Sequence, residues 1–206
     1  MANLPVTGIL DQETLLKMKQ PRYGVADVSA NGPLNFVVSK KRWPFKILTW
    51  RISEYSRTSN LTEFEQRDAI ERALKIWERQ IPLRFQYKTH RLTNLNFKFA
   101  VGDHGDTFPF DGPGGELAHA DNPPYGEIHF DDQETWLLGA EAEKRGFDLY
   151  IVAAHEIGHA LGLNHSNVRG ALMAPSYTYT SDLKLHQNDI DAIKNLYERR
   201  CAFSFL

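Results

Sequence analysis

Residues 153–165 read AAHEIGHALGLNH. Three histidines and a glutamate stand in a stretch that otherwise has the composition of a buried helix, and such groups are costly to bury without partners. On a helix, His155 and His159 project from one face, a turn apart. That spacing suits two imidazole nitrogens converging on one Zn²⁺ at about 2.0–2.1 Å. Glu156 stands beside the metal rather than on it, within reach of a water there. Gly162 tolerates positive φ, so the helix can end sharply and the chain can turn back to bring His165 to the same ion. Three protein ligands leave the fourth position for water, the pattern of a catalytic zinc. The competing explanation is an ordinary helix with histidines satisfied in a core. The five fixed positions of HExxHxxGxxH arise by chance with a probability below roughly 10⁻⁷ per start at average composition, which disfavours it.

The rest of the chain frames this motif. Its 206 residues, 42% apolar and 24% charged, suffice for one ordinary core plus a short extension. A net charge of −2 and a pI near 6.4 supply no polybasic field, so neither nucleic acid nor an anionic membrane is an expected partner. The longest apolar run, 149–163, is interrupted by His155, Glu156 and His159 and is too short and polar to span a bilayer. The opening MANLPVTGIL has neither the basic nor the apolar region of a signal peptide, leaving open a removed signal or an intracellular protein. Cys201 is the single cysteine and cannot form an internal disulfide. The sequon Asn60-Leu61-Thr62 leans toward secretion, whereas Asn164-His165-Ser166 falls inside the proposed metal site and is read as accidental.

Residues 1–28 contain a short helix, Asp11–Lys19, that stops before Pro21. Residues 29–42 form a linker ending in Lys40-Lys41-Arg42, a protease-accessible point or simply a solvated charge cluster. From Phe45 the pattern changes. KILTWRISEY alternates as a strand, Thr62–Glu65 is a capping box opening a helix, and LRFQYK and LNFKFAV are two more strands. The segment 102–132, rich in Gly, Pro, Asp and His, leaves room only for short strands at LAHA and EIHF. A loop of that length in a compact domain is usually functional or held by something other than a core. Helices over 149–161 and 188–199 close a domain spanning 43–199, and 200–206 is a tail.

Three more of the eight histidines, His104, His119 and His129, lie in that long segment with Asp106. A closed His₃Asp set is a structural zinc site; scattered surface histidines are the alternative the spacing alone leaves open. FDGPGGE supplies the Asp111 carboxylate and main-chain carbonyls freed by glycines, and Asp131 and Glu134 could close a Ca²⁺ site of about six oxygens. Such a site would replace a missing core, because metal binding orders a loop that burial cannot.

HEIGHALGLNH followed by Met173 in ALMAPSY resembles the metzincin zinc proteases with their Met-turn. Ser166 directly after the third histidine, Pro175-Ser176-Tyr177 and HGDTFPFDGPGGELAHA resemble one branch of that clan, the matrixins, and the similarity runs from about Pro5 to Tyr197. The resemblance implies an α/β (α+β) zincin fold: a twisted, mixed five-stranded sheet with three helices, and a zinc cleft between a larger upper and a smaller lower subdomain. It implies two zinc ions, with His104, Asp106, His119 and His129 holding the structural one. It also implies at least one calcium, the carbonyls being those of Gly112, Gly114 and Glu116. Further calcium sites are weakened: 119–129 is short, and Asn94 and Asn60 stand where relatives usually have aspartates.

The implied activity is a zinc endopeptidase secreted to act on extracellular proteins, with Glu156 as general base. An extended peptide would pair antiparallel with the edge strand at Leu117 and Ala118, its P1′ side chain entering a pocket between Ile151 and the wall Pro175–Tyr177. Medium or large apolar P1′ residues are expected. A monomer is expected, with protein inhibitors of metalloproteinases as further partners. The rival class is a non-catalytic or permanently latent protease-like binding module; its marker would be loss of Glu156 or a zinc histidine, and neither is lost.

PVTGILDQETLLKM and PRYGVADV resemble the end of the matrixin pro-region, whose PRCG thiolate keeps the enzyme latent; here Tyr23 stands at that position. The phenol could ligate zinc, the segment could plug the cleft, or the switch could be absent. The plug is the preferred reading. Asn188-Asp189 stands where relatives carry two aspartates that receive the new N-terminal amine after activation, so that anchor is expected to be weaker.

Overall fold

The computed structural model describes residues 8–12, 14–15, 21–24, 28–29, 32–33 and 41–198. Strand β1, Ile47–Glu54, buries every second residue, Leu48, Trp50 and Ile52, as an alternating sequence demands. With β2 (Arg84–Tyr87), β3 (Leu95–Ala100), β4 (Ala118–Ala120) and β5 (Glu127–Asp131) it forms one sheet in the order β2-β1-β3-β5-β4. The first four strands in that order are parallel, and the edge strand β4 runs antiparallel to β5. This is the mixed five-stranded sheet expected.

Helix α1, Glu63–Glu78, opens on the anticipated capping box: the Thr62 hydroxyl accepts from Glu65 N–H at 3.2 Å, and the Glu65 carboxylate accepts from Thr62 N–H at 2.8 Å. Its buried stripe of Ala69, Ile70, Ala73, Leu74 and Trp77 faces helix α3, Leu149–Ala160, and the Trp77 indole donates to Ala154 O at 2.8 Å. Helix α4, Gln187–Tyr197, packs beneath.

The sequence reading of three helices is one short. A fourth, α2, spans Ala140–Arg145 between two-residue strands β6 (Trp136–Leu137) and β7 (Phe147–Asp148). Six residues with glycines at both ends carry too little periodicity to announce a helix. Of the expected helix 11–19, residues 12, 14 and 15 are helical, with Thr14 N–H donating to the Asp11 carboxylate at 2.8 Å; 16–20 lie outside the described residues, as do 25–27 and the tail with Cys201.

Helix α3 begins and ends where it must to aim its histidines. Asp148 caps it, accepting from Tyr150 N–H at 2.9 Å. At the other end Leu163 N–H returns to Gly158 O and Gly162 N–H to His159 O, with Gly162 at φ +105°. A Cβ on Gly162 would also lie 2.3 Å from Lys41 O, so glycine is required for conformation and for space alike. The last carbonyls of the helix are taken by the Trp43 indole (Ala160 O, 2.8 Å) and the Tyr197 hydroxyl (Leu161 O, 2.8 Å).

Replacing Thr62 by Ala removes the first of the two capping bonds of α1. Urea unfolding at fixed zinc and calcium should show a loss of about 1 kcal/mol with an unchanged m-value.

Candidate metal centres and cleft

His155, His159 and His165 meet at the floor of a cleft bounded by β4 and by residues 175–177. His155 Nε2 lies 2.9 Å from His159 Nε2 and 3.2 Å from His165 Nε2. These are not hydrogen bonds. His155 Nδ1 sits 2.7 Å from Leu172 O and His159 Nδ1 sits 2.8 Å from Leu163 O, so both rings carry their proton on Nδ1 and point a bare lone pair at the centre. Burial, reinforced by neighbouring imidazoles, holds His155 well below the ordinary histidine range and brings His159 to about 3; burial with the Arg22 charge nearby brings His165 to about 4. Three neutral donors therefore face one point. Their spacing approaches the roughly 3.3 Å separation of ligand atoms around a tetrahedral zinc at about 2.0–2.1 Å. Chemically, the set fits Zn²⁺.

Glu156, adjacent on α3, is fully buried, and both of its carboxylate oxygens lack a hydrogen-bond partner. Burial, with Glu116 adding repulsion, holds its carboxyl well above the usual range. A buried, unpartnered carboxyl beside a metal-binding set is a candidate for chemistry. Met173 lies under the centre; a Cβ on Gly158 would come 2.4 Å from its sulfur, so Gly158 lets α3 settle onto the Met-turn.

The second cluster is closed. Asp106 Oδ2 lies 2.9–3.0 Å from His104 Nε2, His119 Nε2 and His129 Nδ1, and His129 Nδ1 lies 3.0 Å from His104 Nε2 and 3.2 Å from His119 Nε2. The opposite ring nitrogens face acceptors: Gly102 O for His104 (2.7 Å) and the Glu116 carboxylate for His119 (2.7 Å). Burial opposes ionisation of Asp106, but the Phe108 N–H and the His119 and His129 rings bring it down to about 2. Four ligands with no place left for water fit a structural zinc. The side chain of Glu116 was missed by the sequence reading, which assigned that residue a carbonyl role only.

Around FDGPGGE, Gly112 and Gly114 take φ of +87° and +88°. Asp111, Asp131 and Glu134 crowd one loop: Glu134 accepts from Gly114 N–H at 2.6 Å, Asp111 accepts from Glu116 N–H at 2.8 Å, and one oxygen of the fully buried Asp131 has no partner. Burial, then repulsion from Asp131 and Asp111, pushes Glu134 up to about 7. An orphaned carboxylate oxygen among mutually repelling carboxylates fits Ca²⁺. Asn94, by contrast, spends its side-chain oxygen on Thr49 N–H (2.8 Å) and Thr49 hydroxyl (3.0 Å).

Residues 21–24 lie along the cleft as an extended chain. Arg22 N–H reaches Gly115 O, Leu117 N–H reaches Arg22 O and Gly24 N–H reaches Ala118 O; on the other wall Tyr23 N–H reaches Pro175 O and Tyr177 N–H reaches Pro21 O, all at 3.0–3.2 Å. Leu117 and Ala118 thus hydrogen-bond an extended segment of this same chain, whose Arg22 bridges parallel to Glu116. The Tyr23 ring, 2% exposed, stacks on His155 with centroids 3.5 Å apart and planes 9° apart.

Beside it opens a cavity of about 430 Å³ lined by Ile151, Leu172, Ala174, Ser176 and Leu183. One correction applies to its wall. Ala174 and Ser176 face the cavity, whereas Pro175 serves through its carbonyl and the Tyr177 hydroxyl accepts from Asp148 N–H at 3.0 Å, bracing the start of α3. Of the charged lining groups, Asp182 and Lys184 pair with each other at 2.5 Å.

A parallel sheet with an antiparallel edge strand, and a helix carrying two histidines with a third on its returning tail, define a zinc metallopeptidase. The Matrixin family model matches residues 42–198, and the chain belongs to that family of zinc metalloendopeptidases. It is 45% identical over 197 residues to interstitial collagenase of Bos taurus, covering 94% of this chain and 40% of that protein. It is also 45% identical over 199 residues to interstitial collagenase of Sus scrofa, with the same coverage. Stromelysin-2 of Rattus norvegicus is 42% identical over 203 residues, 96% of this chain and 41% of that protein. The chain therefore spans about two-fifths of the length of these relatives.

The carboxylate loop yields a pH prediction. Unfolded, Glu134 titrates near 4.5, whereas the calcium-depleted fold holds its proton up to about 7. Folded protein then binds more protons than unfolded, so this group's contribution to stability falls as pH rises through that window. Calcium favours the ionised form and removes the loss. The stabilisation gained on adding calcium, read as the shift in urea midpoint at saturating zinc, should grow from about pH 4.5 to about pH 7.

Proposed function

We propose that this domain is a zinc-dependent endopeptidase that cleaves extended segments of extracellular proteins. The observation that carries the proposal is the convergence of three neutral imidazole lone pairs beside a buried carboxyl with no partner. His155, His159 and His165 would hold the ion, and Met173 would floor the site. Zinc bound there supplies Lewis acidity, polarising the scissile carbonyl and making water nucleophilic near neutral pH.

The remaining steps belong to the chain. Leu117 and Ala118 offer main-chain bonds that hold the substrate strand, and Ile151 stands at the mouth of the cavity for its P1′ side chain. Ile151, Leu172, Ala174 and Leu183 give the cavity an apolar wall that supports medium or large apolar P1′ residues; among its charged lining residues Asp182 pairs with Lys184, and Arg169 is the third. Glu156 takes the proton of the attacking water and returns it to the leaving amine. Burial raises its carboxyl in the closed cleft, and access of water and a cation would favour the ionised base. His104, Asp106, His119 and His129 would hold a structural zinc. Asp111, the carbonyls of Gly112, Gly114 and Glu116, Asp131 and Glu134 would hold a calcium, both ions bracing the wall that carries β4.

Residues 1–28 act as a remnant pro-segment and 29–42 as the region cut on activation, ahead of a catalytic domain over 43–199. Tyr23 works as a plug. Its ring lies nearly parallel to that of His155 and stacked on it, which fills the cleft instead of aiming the hydroxyl along the ring plane in which the His155 lone pair lies. Residues 21–24 bridge parallel to Glu116, opposite to the sense expected of a substrate, so the plug is not itself presented for cleavage. The relatives' names, collagenase and stromelysin, support a secreted enzyme acting in the extracellular matrix; protein inhibitors of metalloproteinases are compatible partners for a monomer. No described helix is long and apolar enough to cross a membrane.

Glu156→Ala should lower kcat/KM on a quenched peptide by at least about 10²-fold while zinc content stays unchanged; equal activity in the variant would remove Glu156 from the chemistry. In a peptide library, selection should favour apolar P1′ residues, and a basic or acidic preference would contradict the pocket assignment. Cleavage between Val25 and Arg42 should raise activity of the full chain, whereas a thiol reagent should leave it unchanged.

A further inference from the structure

Asp189 is the third residue of α4 and is 1% exposed. One of its carboxylate oxygens accepts from Leu172 N–H at 2.8 Å and from His186 N–H at 3.0 Å; the other accepts from Met173 N–H at 3.1 Å. The bond to His186 belongs to the capping box of α4. The other two leave the helix and grip the turn beneath the catalytic centre.

Met173 N–H and Leu172 C=O belong to the same peptide group. That carbonyl faces His155 Nδ1 at 2.7 Å. The line therefore runs from carboxylate to N–H, through one amide, to C=O and on to the Nδ1–H of a zinc-binding ring. An amide polarised at its N–H by an anion becomes a stronger acceptor at its oxygen. A stronger acceptor at Nδ1–H fixes the tautomer that bares Nε2 and makes that nitrogen a better donor. The same turn steadies a second histidine, because Met173 O accepts from Ser166 N–H at 2.6 Å, the residue following His165. His159 is independent of it, its Nδ1 facing Leu163 O at the end of its own helix.

We infer that Asp189 is a positioning residue for the catalytic metal, setting the donor strength of His155 through the Leu172–Met173 peptide and steadying the turn whose next carbonyl, Met173 O, holds the backbone beside His165. The inference rests on the zinc site proposed above. It also changes the expectation for Asn188-Asp189: Asp189 is committed inward, and Asn188 accepts from the Ser166 hydroxyl at 2.7 Å. A new N-terminal amine would find no free carboxylate on Asp189.

Asp189→Asn tests this, since it removes the charge while keeping nearly the same shape. Zinc competition against a chelator, run on folded protein in calcium, should show the affinity of the His155/His159/His165 site lowered by about 10–100-fold. The His104/Asp106/His119/His129 site should keep its affinity. Equal weakening of both sites would mean that Asp189 serves the fold alone, and no change at either would mean that the peptide relay carries nothing; either result overturns the inference. Should the variant not fold, the wild-type protein still decides the matter. With zinc bound, the Leu172 and Met173 amide protons should be downfield-shifted and slow to exchange, and loop-like exchange would refute the relay. Failure of the wild-type protein to bind zinc at His155, His159 and His165 would instead reject the site itself.

Discussion

His155 Nε2 and His159 Nε2, 2.9 Å apart with their protons on Nδ1, repel unless a cation stands between them, and His165 Nε2 lies 3.2 Å from the first. This constraint organises the molecule. It explains why α3 ends in a left-handed glycine, why Asp148 and Tyr177 fix the start of that helix, and why the carbonyls of Leu172 and Leu163 are aimed at ring nitrogens. Each feature removes a freedom that would let the histidines turn away. The cost of holding three neutral donors face to face is offset only when an ion binds, which ties folding of the cleft to metal.

The other wall of the cleft depends on ions for a different reason. Residues 102–116 have few apolar side chains to bury, and their order comes from His104, Asp106, His119 and His129 on one side and the carboxylates Asp111, Asp131 and Glu134 on the other. Glu116 joins the two, its N–H on Asp111 and its carboxylate on His119. Gly24 of the plug packs against that same side chain, where a Cβ would collide with it. The edge strand that receives an extended chain is thus built from loops rather than from core.

Much of this was legible in the sequence because the decisive signals are local. The i, i+4 histidines, the capping box at Thr62 and the alternation of β1 each follow from a single periodicity, and Gly162 from a single conformational need. What was not legible depends on distant partners. Helix α2 is held by its flanking strands rather than by an amphipathic stripe. Glu116 was read only for its carbonyl, and its side chain gains a role only once His119 Nδ1, three residues on, is seen to face it. Asp189 read as part of a weakened anchor for a new N-terminal amine, and only the packing of α4 against residues 172–173 shows its carboxylate turned inward. In the segment 174–177 it is Ala174 and Ser176 that line the cavity rather than Pro175 and Tyr177, a distinction that depends on backbone rotation rather than on composition.

Metal analysis of protein purified without added zinc tests the central claim most directly. The account predicts two zinc ions per chain, falling to one in His165→Ala, with the remaining ion resistant to chelation. A zinc content unchanged by that substitution, or no tightly held zinc in the unaltered chain, would contradict it.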